Sequence, residues 1–209
     1  GSRDNTLEIA QSFGARVFHK DFSGFIIQKN YAMEKATHDW IFSIDADERV
    51  GEVLAAKILQ LKKSTPQAFS VNRLNYYING WFKKGGWYPD RKIRLFHRDM
   101  ATWKGDQVHE ALTVKEGVVT KDLNADLLHY TYRSLDEHLG QIARYTTLSA
   151  EEKFRKGKHK NGFNLFLHIL MNPLVKFIKA YLLKGAVWEG SRGFVFAIMA
   201  SYYVFLKYA

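Results

Sequence analysis

Apolar positions along this chain run first at helical spacing, then alternate, then return to helical spacing. Near the start, Asn5 with Glu8 three positions later is a capping-box variant, and Gly14 stands where a glycine ends a helix, so Thr6 to Phe13 is predicted helical. Ala15 to Phe18 reads as a short strand and Ile27 to Thr37 as a helix. The run Trp40-Ile41-Phe42-Ser43-Ile44 then reads as a strand covered on both faces, the habit of parallel sheets. Glu52 to Lys63 places apolar side chains at Val53, Leu54, Ile58, Leu59 and Leu61, with its acid early and its lysines late, which suits an amphipathic helix and its dipole. Helix, strand, helix, strand, helix is an α/β order.

The middle changes character. Phe69 to Tyr77 and Lys92 to His97 are strand-like, and Asn79-Gly80, Gly85-Gly86 and Lys115-Glu116-Gly117 are turn signals, so antiparallel or mixed pairing is expected here. Ser134 with Glu137 forms a second capping box, opening a long helix to about Lys156, and Lys158 to Gly162 is a basic linker. Two hydrophobic helical stretches follow, Phe163 to Leu183 and Phe194 to Leu206; lysines interrupt the first and the second is short, so neither suits a membrane span of about 20 apolar residues.

A chain of 209 residues, 46% hydrophobic and 15% aromatic, can bury a sizeable core as one domain or one domain with an appendage. We divide it into 1–133, a catalytic core, and 134–209, a helical region. With no cysteine there are no disulfides and no thiolate metal sites. No secretory leader is visible, and opening at Gly1-Ser2 on a helix rather than a strand reads as the middle of a fold or a cloning scar. The net charge is +10, but from Glu151 onward ten Lys or Arg face three acids, so +7 of it belongs to the tail. A basic, aromatic, strongly apolar tail suits helices lying on an anionic membrane surface rather than nucleic acid, with docking on the core or a homodimer as the alternative cover.

The apolar run ends in Asp45-Ala46-Asp47-Glu48. Two aspartates one residue apart repel unless a cation or hydrogen bonds neutralise them, and oxygen ligands at a strand end favour Mg²⁺ or Mn²⁺ carrying a substrate phosphate. The bland reading is a solvated acidic turn. An aspartyl-phosphate phosphohydrolase also uses a strand ending in two such acids, but Arg49 stands where that chemistry wants Thr or Val. A non-catalytic basic membrane-surface module is the remaining rival.

Several segments in order and spacing carry a family likeness: Gly1 to Thr6 followed by LEIAQSFGARVF, Gln28-Lys29-Asn30, WIFSIDADERV, GWYPDRKIRLF from Gly86, VHEAL from Val108 and the terminal YYVFLKYA. Together they resemble the family 2 glycosyltransferases, in the lipopolysaccharide core β-1,4-glucosyltransferase branch. The resemblance implies a GT-A fold, a Rossmann-like mixed sheet flanked by helices, with amphipathic C-terminal helices here. It also implies a nucleotide-sugar donor, UDP-glucose by default, a divalent metal and inversion at the anomeric carbon; with the basic apolar tail, the expected acceptor is a lipid-linked saccharide at the cytoplasmic face of the membrane. In that family a strand, a helix and a second strand usually precede the Gly-Ser segment and grip the base.

On that footing Asp47 is the expected metal ligand, with Asp45 on the metal or ribose and His129 as the late histidine that completes such metal sites. Glu48 is read as the start of the next helix. Inversion needs a base for the acceptor hydroxyl; Asp106, His109 and Glu110 are the candidates, and Glu110 fits the family's late carboxylate best. Arg91 and Arg94 suit donor diphosphate or acceptor phosphates, with an ion pair to Asp90 as the dull alternative. Trp87 and Tyr88 suit an acceptor sugar ring or core packing, and Lys29 and Asn30 the nucleotide or an ordinary helix terminus.

Overall fold

The computed structural model describes residues 4–61, 67–106, 109–157 and 163–209, with the side chains of Asp106, His109, Glu152, Phe163, Asn164 and Leu167 outside the description. In chain order the elements are α1 (Thr6–Ser12), α2 (Phe25–Lys35), β1 (Trp40–Phe42), β2 (Glu48–Val50), α3 (Glu52–Leu59), β3 (Ala68–Tyr77), β4 (Trp81–Phe82), β5 (Asp90–His97), β6 (Ala101–Asp106), β7 (His109–Val114), β8 (Thr120–Tyr132), α4 (Leu135–Arg155), α5 (Phe163–Ile178) and α6 (Gly190–Tyr208). A π turn over Lys179–Leu183 and a 3-10 turn over Ala186–Glu189 join α5 to α6.

The main sheet runs β1-β5-β3-β8-β2, with β4 paired to the far end of β3, and β6 and β7 form a separate hairpin. Only β3 and β8 pair in parallel; the other described pairs are antiparallel. The strand at Trp40 is therefore not central in a parallel array. It is three residues long, half-buried, and runs antiparallel to β5 at the sheet edge.

Alternation along the strands builds the core. Phe69 and Val71 of β3 meet Leu54 of α3 and Leu95 and Leu127 of neighbouring strands, while Ala68 and Phe96 form a second cluster with Met33 of α2 and Leu112 of β7. A third cluster, Tyr77, Phe82, Ala186, Phe196 and Ala197, ties the far end of β3 to the C-terminal helices. The interior is mixed α/β, as expected, and the helical region past 134 shares a core with the sheet.

Local expectations meet mixed outcomes. Ser134 and Glu137 cap α4: Ser134 Oγ accepts from Glu137 N at 3.1 Å, and a Glu137 oxygen reaches back to Arg133 N at 2.7 Å. Asn5 makes no side-chain cap to α1; Asp4 instead accepts from Thr6 N at 3.2 Å. Ala15 to Phe18 forms no strand; Arg16 donates to Lys35 O at 2.6 Å and ties this segment to the end of α2. The start at Gly1-Ser2 and the basic linker Lys158 to Gly162 lie outside the described residues.

Candidate active site

A cleft of about 770 Å³ opens where β2, β3 and β8 meet, lined among others by Lys29, Asp45, Asp47, Arg73, Trp87, Glu110 and His129. Register assembles it from distant sequence. Antiparallel pairing sets Glu48 opposite His129, and parallel pairing sets Asn75 opposite His129, so three strands deliver these side chains together.

Asp45 and Asp47 have different neighbours. Arg94, almost fully buried on β5, donates from Nη2 to Asp45 Oδ2 at 2.9 Å and to Glu48 Oε1. Glu48 Oε2 accepts from Asp45 N at 2.9 Å, and Glu48 N donates back to Asp45 O at 3.0 Å, so the turn between the acids closes around one guanidinium. Lys29 Nζ adds a contact to Asp45 at 3.2 Å. Burial raises the Asp45 pKa, but Arg94 and Lys29 outweigh it and hold the carboxyl below its ordinary range. Glu48 thus begins β2 and clamps Arg94; it does not start α3, whose N-cap is Gly51.

Asp47 is freer, with its side chain about half exposed and its carbonyl fixed by Tyr130 N at 2.9 Å. His129 Nε2 lies 3.2 Å from Asp47 Oδ2, and the hydrogen bond from His129 lowers the Asp47 pKa. On the other side of the ring, His129 Nδ1 is 2.6 Å from Asn75 Oδ1. The Asn75 amide is oriented by its Nδ2 donating to Trp87 O at 3.3 Å and by Thr131 Oγ1 donating to Oδ1 at 3.0 Å. Nδ1 therefore carries the donated proton, and unless the ring takes a second proton on Nε2, that nitrogen and the Asp47 oxygen face each other as two electron-pair donors. Such a pair wants a proton or a cation between them, and an imidazole whose other nitrogen is held by an amide is the usual arrangement of a metal-ligating histidine. Asp47 and His129 thus fit a divalent cation. Among the described residues no group of three or more acids or histidines could hold a metal, so the remaining ligands would be substrate phosphate oxygens and water.

Glu110 of β7 stands on the cleft wall, its side chain 24% exposed, with Lys29 Nζ 3.5 Å away and lying over the Trp103 ring at 4.3 Å. Lys29 thus bridges Asp45 and Glu110. The backbones of Asp106 and His109 pair across the β6–β7 hairpin, but their side chains, both candidate bases, lie outside the described residues. Trp87 lines the cleft, stacked against Tyr132 at 6.0 Å.

Other expected site residues stand elsewhere. Asn30 is absent from the cleft: its amide donates to Trp103 O at 3.1 Å and accepts from Trp103 N at 3.0 Å, pinning α2 to β6. Arg91 pairs with Asp122 at 2.8 Å and lines a space adjoining the cleft rather than the cleft itself. Tyr88 donates to Asp126 at 2.9 Å and stays outside the main cleft. Arg94 is almost fully buried but lines the same adjoining space, of about 500 Å³, with Lys29, Asp45 and Glu110, and a cleft cation that sequence reasoning missed is Arg73, which is 2.7 Å from Asp90. The Asp90 pairing weighed for the neighbouring arginines thus belongs to Arg73.

Comparison with known proteins adds a family. The model of glycosyl transferase family 2 matches residues 1–116. The lipopolysaccharide core biosynthesis glycosyltransferase LpsC of Rhizobium meliloti is 29% identical over 217 residues, covering 100% of this chain and 78% of that protein. Uncharacterized glycosyltransferases of Rickettsia typhi and Rickettsia prowazekii are 27% and 26% identical, each covering 100% of this chain and 74% of the relative.

Proposed function

The chain belongs to glycosyl transferase family 2, with the GT-A kind of α/β architecture, and we propose that it moves a hexose, glucose by default, from UDP-glucose to a lipid-linked saccharide such as a lipopolysaccharide inner core, with inversion. One observation carries this reading: Asp47, His129 and Glu110 converge on a single cleft large enough for a nucleotide sugar.

A bound Mg²⁺ or Mn²⁺ would supply Lewis-acid stabilisation of the departing diphosphate. Asp47 and His129 are the residues to hold it, with His129 set in its tautomer by Asn75. Asp45, fixed by Arg94 and Glu48, keeps the turn rigid and presents its remaining face to the donor. Arg73 offers a guanidinium to diphosphate oxygens from the same cleft. Trp87 gives an apolar face to a sugar ring. Glu110 takes the proton of the acceptor hydroxyl as its oxygen attacks the anomeric carbon; the bond to the diphosphate breaks on the opposite side and its electron pair leaves with the phosphate. Lys29 holds Glu110 and Asp45 at fixed separation.

Work at a membrane is supported by the turn between α5 and α6. Leu183 is 76% and Trp188 81% exposed, beside Lys179 and Lys184, and an exposed apolar ridge of Phe166, Leu170 and Leu174 runs along α5. No helix among the described residues is long and apolar enough to cross a bilayer. We therefore propose peripheral attachment to the anionic inner face of the cytoplasmic membrane; a homodimer covering the same ridge is the alternative, separable by sedimentation analysis without lipid.

The test is a sugar-nucleotide panel with Mg²⁺ or Mn²⁺ and product detection by mass spectrometry, comparing wild type with Asp47→Asn and Glu110→Gln. Loss of transfer in both supports the assignment. Full turnover in Asp47→Asn removes the metal role, and full turnover in Glu110→Gln moves the base elsewhere.

A further inference from the structure

A second cavity of about 300 Å³ lies directly behind the main cleft, and Trp87, Tyr132, Gln141 and Tyr145 line both. Beyond them the second cavity is bounded by Phe196 and Tyr203 of α6 and by Lys176 of α5. Lys176 is also exposed to solvent, so the cavity opens outward beside it, through the helical region and away from β2.

The two adjoining spaces differ in charge. Asp45, Asp47, Asp90 and Glu110 line the main cleft. Among the described residues no carboxylate lines the second cavity, and no ion pair joins Lys176 to an acid. The other basic group there, His138, is stacked on Tyr132 at 4.1 Å and bonded through Nδ1 to Tyr77 OH at 3.1 Å. Burial pushes its pKa down to about 4, so it is neutral near pH 7, and burial together with Lys179 presses the Lys176 ammonium below its ordinary lysine range. An ammonium that is partly desolvated, beside a like charge and without an acid, gains from an incoming anion. The aromatic walls offer faces to sugar rings.

We infer that this side cavity is the acceptor subsite, and that it takes a saccharide bearing a carboxylate or phosphate, which Lys176 binds while the attacking hydroxyl reaches Glu110 in the main cleft. The inference rests on the glycosyl-transfer reading for its role, but not for its binding chemistry. Neutral and anionic acceptors should therefore separate at Lys176, a residue that takes no part in donor binding.

The experiment titrates propyl glucoside, propyl glucuronide and propyl glucoside 6-phosphate into the protein by calorimetry, with wild type, Lys176→Gln and Lys176→Arg. We expect at least one anionic probe to bind about tenfold tighter than the neutral one, this advantage to vanish in Lys176→Gln and to persist in Lys176→Arg. An advantage for the glucuronide alone assigns a carboxylate, and for the phosphate alone a phosphate. Equal affinity for all three probes in wild type, or an anionic advantage that survives Lys176→Gln, overturns the subsite. A parallel titration with the sugar-nucleotide panel and Mg²⁺ reads the donor site separately: donor binding without an anionic advantage sinks only the subsite, whereas absent binding of every donor counts against the donor reading and leaves the probe result to decide the cavity.

Discussion

Asn75 and His129 stand on neighbouring parallel strands, and the 2.6 Å contact between Asn75 Oδ1 and His129 Nδ1 decides which ring nitrogen faces Asp47. Removing that amide frees the ring to turn and to take the other tautomer. In Asn75→Ala we expect the Mn²⁺ concentration for half-maximal turnover to rise about 10- to 100-fold, the usual cost of losing a ligand's supporting hydrogen bond. Metal titration of transfer activity checks this, and an unchanged midpoint would show that Asn75 does not set the ring for metal binding.

Arg94 is the central charge of the turn between the two aspartates. It is 3% exposed and serves Asp45 and Glu48 at once, so Arg94→Met leaves two carboxylates without their shared cation. The expected loss is about 3 to 5 kcal/mol of folding stability, with part recovered in Arg94→Met combined with Glu48→Gln. Urea unfolding of both variants measures it; simple addition of the two single effects would deny the coupling.

His138 gives acid sensitivity in a defined range. Its folded pKa of about 4 lies below its ordinary value of 6.5, so the unfolded chain binds the extra proton first as pH falls. Stability therefore declines from about pH 6.5 towards 4 and levels off below, while the lowered pKa values of Asp45 and Asp47 place their own losses below their ordinary 3.8. Thermal unfolding at pH 7 and pH 5 should show a drop that is smaller in His138→Gln. The same drop in both would assign the loss to other groups.

Trp188 and Leu183 project from the α5–α6 turn with most of their surface in solvent. Trp188→Ser with Leu183→Ser should abolish co-sedimentation with phosphatidylglycerol vesicles and leave turnover on a short soluble acceptor unchanged. Raising salt should weaken wild-type binding, since each nearby lysine contributes about 1 kcal/mol at an anionic surface. Vesicle binding retained by the double variant would place the contact elsewhere.

Local signals were readable from the chain, and register was not. Ser134 with Glu137, the turn glycines and the strand at Phe69 to Tyr77 all act within a few residues, and each stands near where its pattern puts it. Glu48 looked like a helix opener because its partner Arg94 lies 46 positions away. Asn75 and Arg73 gave no signal at all, since a polar residue in a strand gains its meaning from the strand beside it, and nothing in the local pattern says that β8 runs parallel to β3. The hold of Arg94 on Asp45 and Glu48 was equally invisible, because sequence shows a guanidinium but neither its burial nor its partners. Trp40 was misplaced for the same reason, an apolar strand at an edge being indistinguishable by periodicity from one at the centre.

Gly193 in the first turns of α6 sits so close to the Ala186 carbonyl that a Cβ there would collide with it. Because it is glycine, α6 presses onto the preceding turn, and Phe196 reaches Phe82 at 4.8 Å and Trp87 at 4.6 Å. The tail is thus a structural wall of the Trp87 end of the cleft, not baggage hung on it. A minimal version trimmed at residue 134 would leave Tyr77, Phe82 and Trp87 as an open greasy flank, and the smallest soluble unit should extend through α6.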